Sequence, residues 1–183
     1  MRVAIDAMGG DYAPQEIVLG AVEAAKEFNC EIVLVGDQEK INQTLRACPN
    51  WQQLNITVHH ASEVIGMNVH PAAAIRKKKD ASVVVATRLV KEGYCDVVIS
   101  AGSTGAAASA ALLGLGRIEG IERPAIATPI PNLTGTTVLL DSGANVDSKP
   151  KHLVQSAIMG SIYAEYVLGI KNPRVGLLSI GEE

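Results

Sequence analysis

Short apolar runs recur along the chain and alternate with stretches of helical periodicity. The runs are Val3 to Asp6, Ile32 to Gly36, Ile56 to His59, Val97 to Ser100, Ala125 to Ile130, Val138 to Asp141 and Val175 to Ile180. Regular alternation of this kind predicts an α/β fold with a mostly parallel sheet covered by helices, because parallel neighbours need a crossover between them. Between the first two runs, Ile17, Val18, Ala21, Val22, Ala25 and Phe28 fall on one helical face, with Glu16, Glu23, Lys26 and Glu27 opposite. A second long helix is expected from Ser148–Pro150, a capping serine and an early proline, to Gly169, with Leu153, Val154, Ala157, Ile158 and Val167 as its buried stripe. Prolines and a glycine between Pro129 and Thr137 separate two apolar runs, which predicts a hairpin and so an antiparallel element in the sheet.

Composition excludes several classes. Hydrophobic residues make up 48% of 183 residues, enough to bury a core. No apolar run approaches the ~20 residues of a membrane span. Met1 to Asp6 reads as a strand rather than a signal peptide, so cytoplasmic residence is expected. Cys30, Cys48 and Cys95 lack metal-ligand spacing, and their odd number argues against a disulfide framework. A net charge of -3 without a basic-aromatic pattern gives no reason to expect nucleic acid. His59, His60 and His70 lack the helical spacing of zinc proteases, so no metal is assigned. Arg76-Lys77-Lys78-Lys79 reads either as a solvated helix face or as a surface for an acidic partner.

In open α/β sheets ligands sit beyond the carboxyl ends of strands. Loops with polar groups follow strand runs at Asp6 to Pro14, with Gly9, Gly10 and Asp11; at Ser100 to Ala106, with Gly102, Ser103, Thr104 and Gly105; and at Asp141 to His152, with Asn145, Lys149 and Lys151. Glycines let a ligand approach the backbone, and a helix start offers unpartnered amide hydrogens and the positive end of a dipole. The three loops are expected to share a cleft for an oxyanion, with Asp11 capping the helix behind Pro14. Dinucleotide and nucleoside triphosphate glycine motifs and a serine nucleophile elbow are absent. No cofactor is expected.

The stretches Ala4 to Pro14, Arg76 to Ser82, Ser100 to Ala106, Gly120-Ile-Glu-Arg-Pro124, Leu140 to Asp147 and Ile158 to Glu165, with the terminal Gly-Glu-Glu, closely resemble the bacterial phosphate acyltransferase family. Ser103 stands where the family is expected to carry asparagine, and Met67-Asn-Val-His70 replaces a more acidic stretch. The resemblance implies transfer of a fatty acyl group from acyl carrier protein to inorganic phosphate, giving an acyl phosphate for phosphatidic acid synthesis. It also implies a three-layer αβα fold like the isocitrate and isopropylmalate dehydrogenases, and a homodimer. The chain is then expected to be a single domain over 1–183, the N-terminal portion of a longer protein whose peripheral membrane segment lies elsewhere. The final strand run, with no covering helix after it, agrees with that reading. On it, Thr104, Lys149, His152 and Asp141 are the catalytic candidates. Asp6, Gly9, Gly10, Asp11, Ser100, Gly102, Ser103, Gly105, Asn145 and Lys151 are the substrate-binding ones. Acetyl transfer between coenzyme A and phosphate, and a non-catalytic acyl- or phosphate-binding module, remain the alternatives; a metal- and nicotinamide-dependent dehydrogenase lacks its motifs.

Overall fold

A computed structural model of the chain describes residues 1–67, 69–145 and 147–179. Asn68, Val146 and Ile180 to Glu183, which enter the motifs above, lie outside the described residues. The chain divides into two compact units, Met1–Gly116 and Arg117–Glu183.

The first unit is built on four parallel strands, β1 (Arg2–Asp6), β2 (Glu31–Gly36), β3 (Ile56–His60) and β4 (Val97–Ser100), in the order β3-β2-β1-β4. Alternate residues of each strand face opposite sides, and both sides are apolar, as a parallel sheet covered on both faces requires. Val3, Ile5, Ile32, Leu34 and Ile56 pack against α1 (Gln15–Phe28) and α2 (Gln38–Arg46) through Val18, Val22, Ile41 and Leu45. Ala4, Val33 and Val35 pack on the other side against Val85, Ala86 and Leu89 of α4 (Ser82–Lys91). On that side α3 (Pro71–Lys77) and α5 (Thr104–Gly114) join α4 through Ile75, Val83 and Ala110. The Val83-Val-Val85 run is β-branched, yet packing of Val85 on the sheet and of Val83 on the neighbouring helices holds it helical, an instance of tertiary packing overriding propensity.

Asp37 caps α2 by accepting the amide hydrogens of Glu39 and Lys40. These bonds, the Lys40 one first, hold its carboxyl below the usual carboxylate range against a smaller opposing effect of burial. α1 begins differently from the expectation: Pro14 occupies the cap position with no side-chain cap, and Asp11 is exposed. The tight turn Gly10–Ala13, closed by the Ala13 amide hydrogen on the Gly10 carbonyl, feeds the chain into the helix without it. Phe28 is also 68% exposed, since the helix ends there, at Asn29 in a left-handed conformation, beyond the edge of the sheet contact.

In the second unit, β5 (Thr128–Asn132) and β6 (Gly135–Leu139) form the expected antiparallel hairpin, but as a sheet of their own rather than as part of the parallel one. Asn132 shapes the turn, accepting from the Thr134 amide and donating to Thr137 Oγ1. Helix α6 (Pro150–Tyr166) stops short of Gly169. Its cap is Lys149 rather than Ser148, with the Lys149 amide donating to His152 Nδ1. The buried residues of α6 are His152, Gln155 and Ala164, whereas Leu153, Val154, Ile158 and Val167 are exposed. The apolar stripe expected to be buried is therefore the open face. The unit turns instead toward the Gly120–Glu122 turn, where Gln155 donates to the Gly120 carbonyl and accepts from the Glu122 amide. The described residues of the final run, 175–179, form no strand, and Leu177 and Leu178 are exposed: an extended segment becomes a strand only when a neighbour receives its amides. No described helix is long and apolar enough to cross a membrane.

Candidate active site at the ends of β1 and β4

The strand order reverses between β1 and β4: the chain steps outward from β1 to β2 and β3, then returns to the other side of β1. Such a switch point opens a crevice at the carboxyl ends of its two strands, because their following loops leave in opposite directions. Parallel register makes Asp6 and Ser100 direct partners at the last step of β1 and β4. The first two predicted loops therefore emerge side by side.

Asp6 is 3% exposed. Its carboxylate accepts the Ser100 hydroxyl at 2.7 Å and the Met8 amide at 3.3 Å. Ser100 Oγ in turn accepts the Gly102 amide at 3.3 Å, so a short relay runs from the backbone of one loop to the acid of the other. A buried carboxylate without such partners would be strongly destabilising. The glycines are what let the loops close on each other. A Cβ on Gly9 would lie 2.5 Å from Asp6 Oδ2 and 3.0 Å from the Gly102 nitrogen; one on Gly102 would lie 3.0 Å from Gly9 Cα. Gly10, at φ +122°, brings its backbone against the Ala101 carbonyl.

Helix α5 starts at this junction. Ser103 caps it, accepting the Ala106 amide at 3.4 Å, while the amides of Thr104 and Gly105 in the first turn have no intrahelical acceptor. Thr104 is exposed. A Cβ on Gly105 would meet Pro71 Cγ at 2.8 Å, and one on Gly114 would meet Thr87 Cγ2 at 2.7 Å, so the small residues of α5 serve close packing between α3 and α4. A cavity about the size of one water molecule opens among Asp6, Gly9, Ser82, Ser100, Gly102 and Ser103, with Val64 and Ile65 on its far wall.

That wall is stitched in place from the segment after α3. Asp80 accepts both the amide and the hydroxyl of Ser62, at 2.8 and 2.6 Å, which hold its carboxyl below the usual range, the hydroxyl most. Lys78 Nζ donates to the Val64 carbonyl at 2.7 Å. The basic run is thus divided: Lys78 braces the cavity wall, while Arg76, Lys77 and Lys79 are exposed. His60 stands apart, its Nδ1 accepting the Gln38 amide.

The third predicted loop belongs to the second unit. Asp141 accepts the amides of Ile126 and Asn145 at 2.7 Å and the Asn145 side chain at 3.0 Å. Burial alone would raise its carboxyl; these hydrogen bonds together outweigh it and hold the group below the usual carboxylate range. Asn145 also donates to the Pro124 carbonyl. His152 is buried, Nδ1 on the Lys149 amide and Nε2 3.3 Å from Glu122. Lys151 also pairs with Glu122 and is the main reason that its carboxyl is lowered. Asp141, Asn145, His152 and Lys151 are thus engaged in holding the loop and the helix start together, and the Lys149 ammonium has no ion-pair partner among the described residues.

Sequence reasoning missed Ser82, which is 2% exposed and lines the cavity. Its signal was present: a hydroxyl residue just before an apolar helical run marks a helix start.

These features define an α/β protein with a helix N-terminus presented at a topological switch point. Comparison places it more narrowly: the family described as fatty acid synthesis protein matches residues 1–183, and the chain belongs to that family. Phosphate acyltransferases of Desulfitobacterium hafniense and Heliobacterium modesticaldum are 58% identical over 184 residues and 60% identical over 183 residues. Each match covers 100% of this chain and 54% or 55% of the relative, so the chain spans about half the length of the relatives it matches. The EutD phosphotransacetylase from Staphylococcus aureus shares the fold, with a TM-score of 0.64 at 15% identity over 93% of this chain and 54% of that one.

Proposed function

We propose that this chain is part of an acyltransferase that moves a fatty acyl group from acyl carrier protein to inorganic phosphate, yielding an acyl phosphate for phosphatidic acid synthesis. The observation that carries the reading is the junction of Gly9 with Gly102 beside the Asp6–Ser100 hydrogen bond, at the open N-terminus of α5. An oxyanion is the guest this geometry suits: two first-turn amides and the helix dipole attract it, and glycine backbone admits it closely.

The chemistry asks little of an acid or base. An oxygen of hydrogen phosphate attacks the thioester carbonyl carbon, the tetrahedral intermediate collapses, the C–S bond breaks, and the proton carried by the phosphate ends on the thiolate. What the protein must supply is position and stabilisation of negative charge. The Thr104 and Gly105 amides, with the Thr104 and Ser103 hydroxyls, hold the phosphate; Asp6, through Ser100, fixes the Gly102 amide in the same loop. From the sequence reading Lys149 is assigned the compensation of charge; within the second unit Asp141, Asn145 and His152 shape its segment and Lys151 is anchored by Glu122. Gly10 shapes the β1 loop, and Asp11 stands exposed at its rim.

The same reading carries the isocitrate and isopropylmalate dehydrogenase-like fold class, a cytoplasmic homodimer and peripheral association with the membrane as further proposals. Acetyl transfer between coenzyme A and phosphate is the rival that the likeness to a phosphotransacetylase favours. Phosphate-dependent thiol release, measured with acyl carrier protein thioester and with acetyl coenzyme A side by side, separates them. Turnover with the carrier thioester alone supports the proposal; turnover with acetyl coenzyme A alone replaces it, and turnover with neither removes both.

A further inference from the structure

We propose that Ser82 is a further phosphate-binding residue, making the site a cradle of two helix N-termini rather than one. The inference rests on the acyl-to-phosphate reading above and extends it to a residue that reading does not use. Ser82 opens α4, a helix of ten residues. It is 2% exposed and lines the same cavity as Ser100, Gly102 and Ser103. Its own amide is satisfied by the Glu63 carbonyl at 3.0 Å. Its hydroxyl has no hydrogen-bond partner among the described residues. A hydroxyl that lines a cavity and has no protein partner is completed by whatever the cavity admits, a ligand or a water.

The neighbouring groups say which ligand. The α4 cap residue, Ala81, contributes no side-chain cap, so the Val83 amide in the first turn also has no acceptor among the described residues. Val83 lines the cavity too. A hydroxyl and an amide at the positive end of α4 thus face the junction from which α5 presents its own first turn. The cavity, which Asp6 also lines with its carboxylate engaged by the Ser100 hydroxyl and the Met8 amide, admits about one oxygen atom, enough for a single oxygen of a tetrahedral anion whose other oxygens lie outside it toward the first turn of α5. Asp80 and Lys78 tie the Ser62–Val64 segment beside Ser82, where the Glu63 carbonyl accepts the Ser82 amide.

The test uses the intact enzyme with Ser82→Ala, which removes the hydroxyl at nearly unchanged residue volume, and Ser82→Cys, which replaces it with a larger and weakly hydrogen-bonding thiol. Phosphate KM and carrier-thioester KM are measured separately, together with the rise in Tm that inorganic phosphate produces without the acyl donor. The expected result is a phosphate KM raised about tenfold in both variants, the usual effect of losing a hydrogen bond to a charged group. The thioester KM stays within about twofold, the ligand-free Tm stays near wild type, and the phosphate-induced rise is diminished. If phosphate KM and the Tm response match wild type, the cavity holds a structural water only and the proposal is overturned. A fall in kcat with unchanged phosphate KM overturns it as well. Should wild-type enzyme show neither phosphate-dependent turnover nor a Tm response, the failure lies with the underlying function and not with Ser82.

Discussion

Gly9 and Gly102 meet backbone to backbone, so close that a Cβ on Gly9 would sit 3.0 Å from the Gly102 nitrogen and 2.5 Å from the Asp6 carboxylate. Neither neighbour is a flexible tip that could swing away. Gly9→Ala must therefore push the β1 and β4 loops apart, a rearrangement that overpacking data place at about 1–3 kcal/mol. Loss of phosphate-dependent turnover well beyond the loss of stability is expected, measured as kcat/KM alongside chemical unfolding. A variant with wild-type turnover would show that the loops need not touch.

Asp6 and Ser100 act as a unit, since the Ser100 hydroxyl both donates to the acid and accepts the Gly102 amide. Asp6→Asn and Ser100→Ala should each lower kcat/KM about tenfold, the scale of one hydrogen bond involving a charged group. The double variant should be no worse than the weaker single one, because both substitutions cut the same link. Additive losses in that cycle would separate the two residues.

Thr104 and Lys149 are the two side chains to which the proposed function gives contact with substrate. Thr104 is exposed at the first turn of α5, and the Lys149 ammonium has no ion-pair partner among the described residues. Thr104→Ala is expected to cost up to ~10² in kcat, the range for one oxyanion donor. Lys149→Ala should raise the phosphate KM, while Lys151→Ala, whose ammonium is already held by Glu122, should leave it near wild type. Steady-state kinetics at varied phosphate distinguishes the three, and reversal of the two lysines would undo the assignment.

Asp141 makes acid stability testable. Its carboxyl is held below the usual range in the fold, so its contribution is fully present above the unfolded value near pH 4 and is lost as pH falls through the lower folded one. Thermal melts from pH 5 down to pH 2 should show the wild-type Tm falling, and Asp141→Asn, already less stable at pH 5, falling less. Parallel curves for the two proteins would mean that Asp141 contributes nothing through its charge.

The strands were legible because each is an apolar run short enough to cross a core, and the hairpin because proline and glycine bracket its turn. Their neighbours in space were not, since strand order is a non-local property. Nothing in the residues around Asp6 says that β4 rather than β3 lies beside β1, and that order alone pairs Asp6 with Ser100. Helix faces failed where periodicity was read without a partner: Leu153, Val154 and Ile158 have the spacing of a buried stripe, yet His152 and Gln155 take the buried side because a polar turn at Gly120–Glu122 receives them. Asp11 looked like a cap because it precedes a helix, but the turn closed at Gly10–Ala13 carries the chain past it. Ser82 ends a basic run, and its burial follows from the pairing of its amide with the distant Glu63 carbonyl and the packing of α4 on the sheet, neither of which is a local property.

The most direct test is a crystal structure of the enzyme with inorganic phosphate at saturating concentration. The expected result is a tetrahedral anion at the N-terminus of α5, its oxygens within hydrogen-bond distance of the Thr104 and Gly105 amides and beside the Gly9–Gly102 junction. Phosphate bound only elsewhere, with that junction empty, would contradict the assignment.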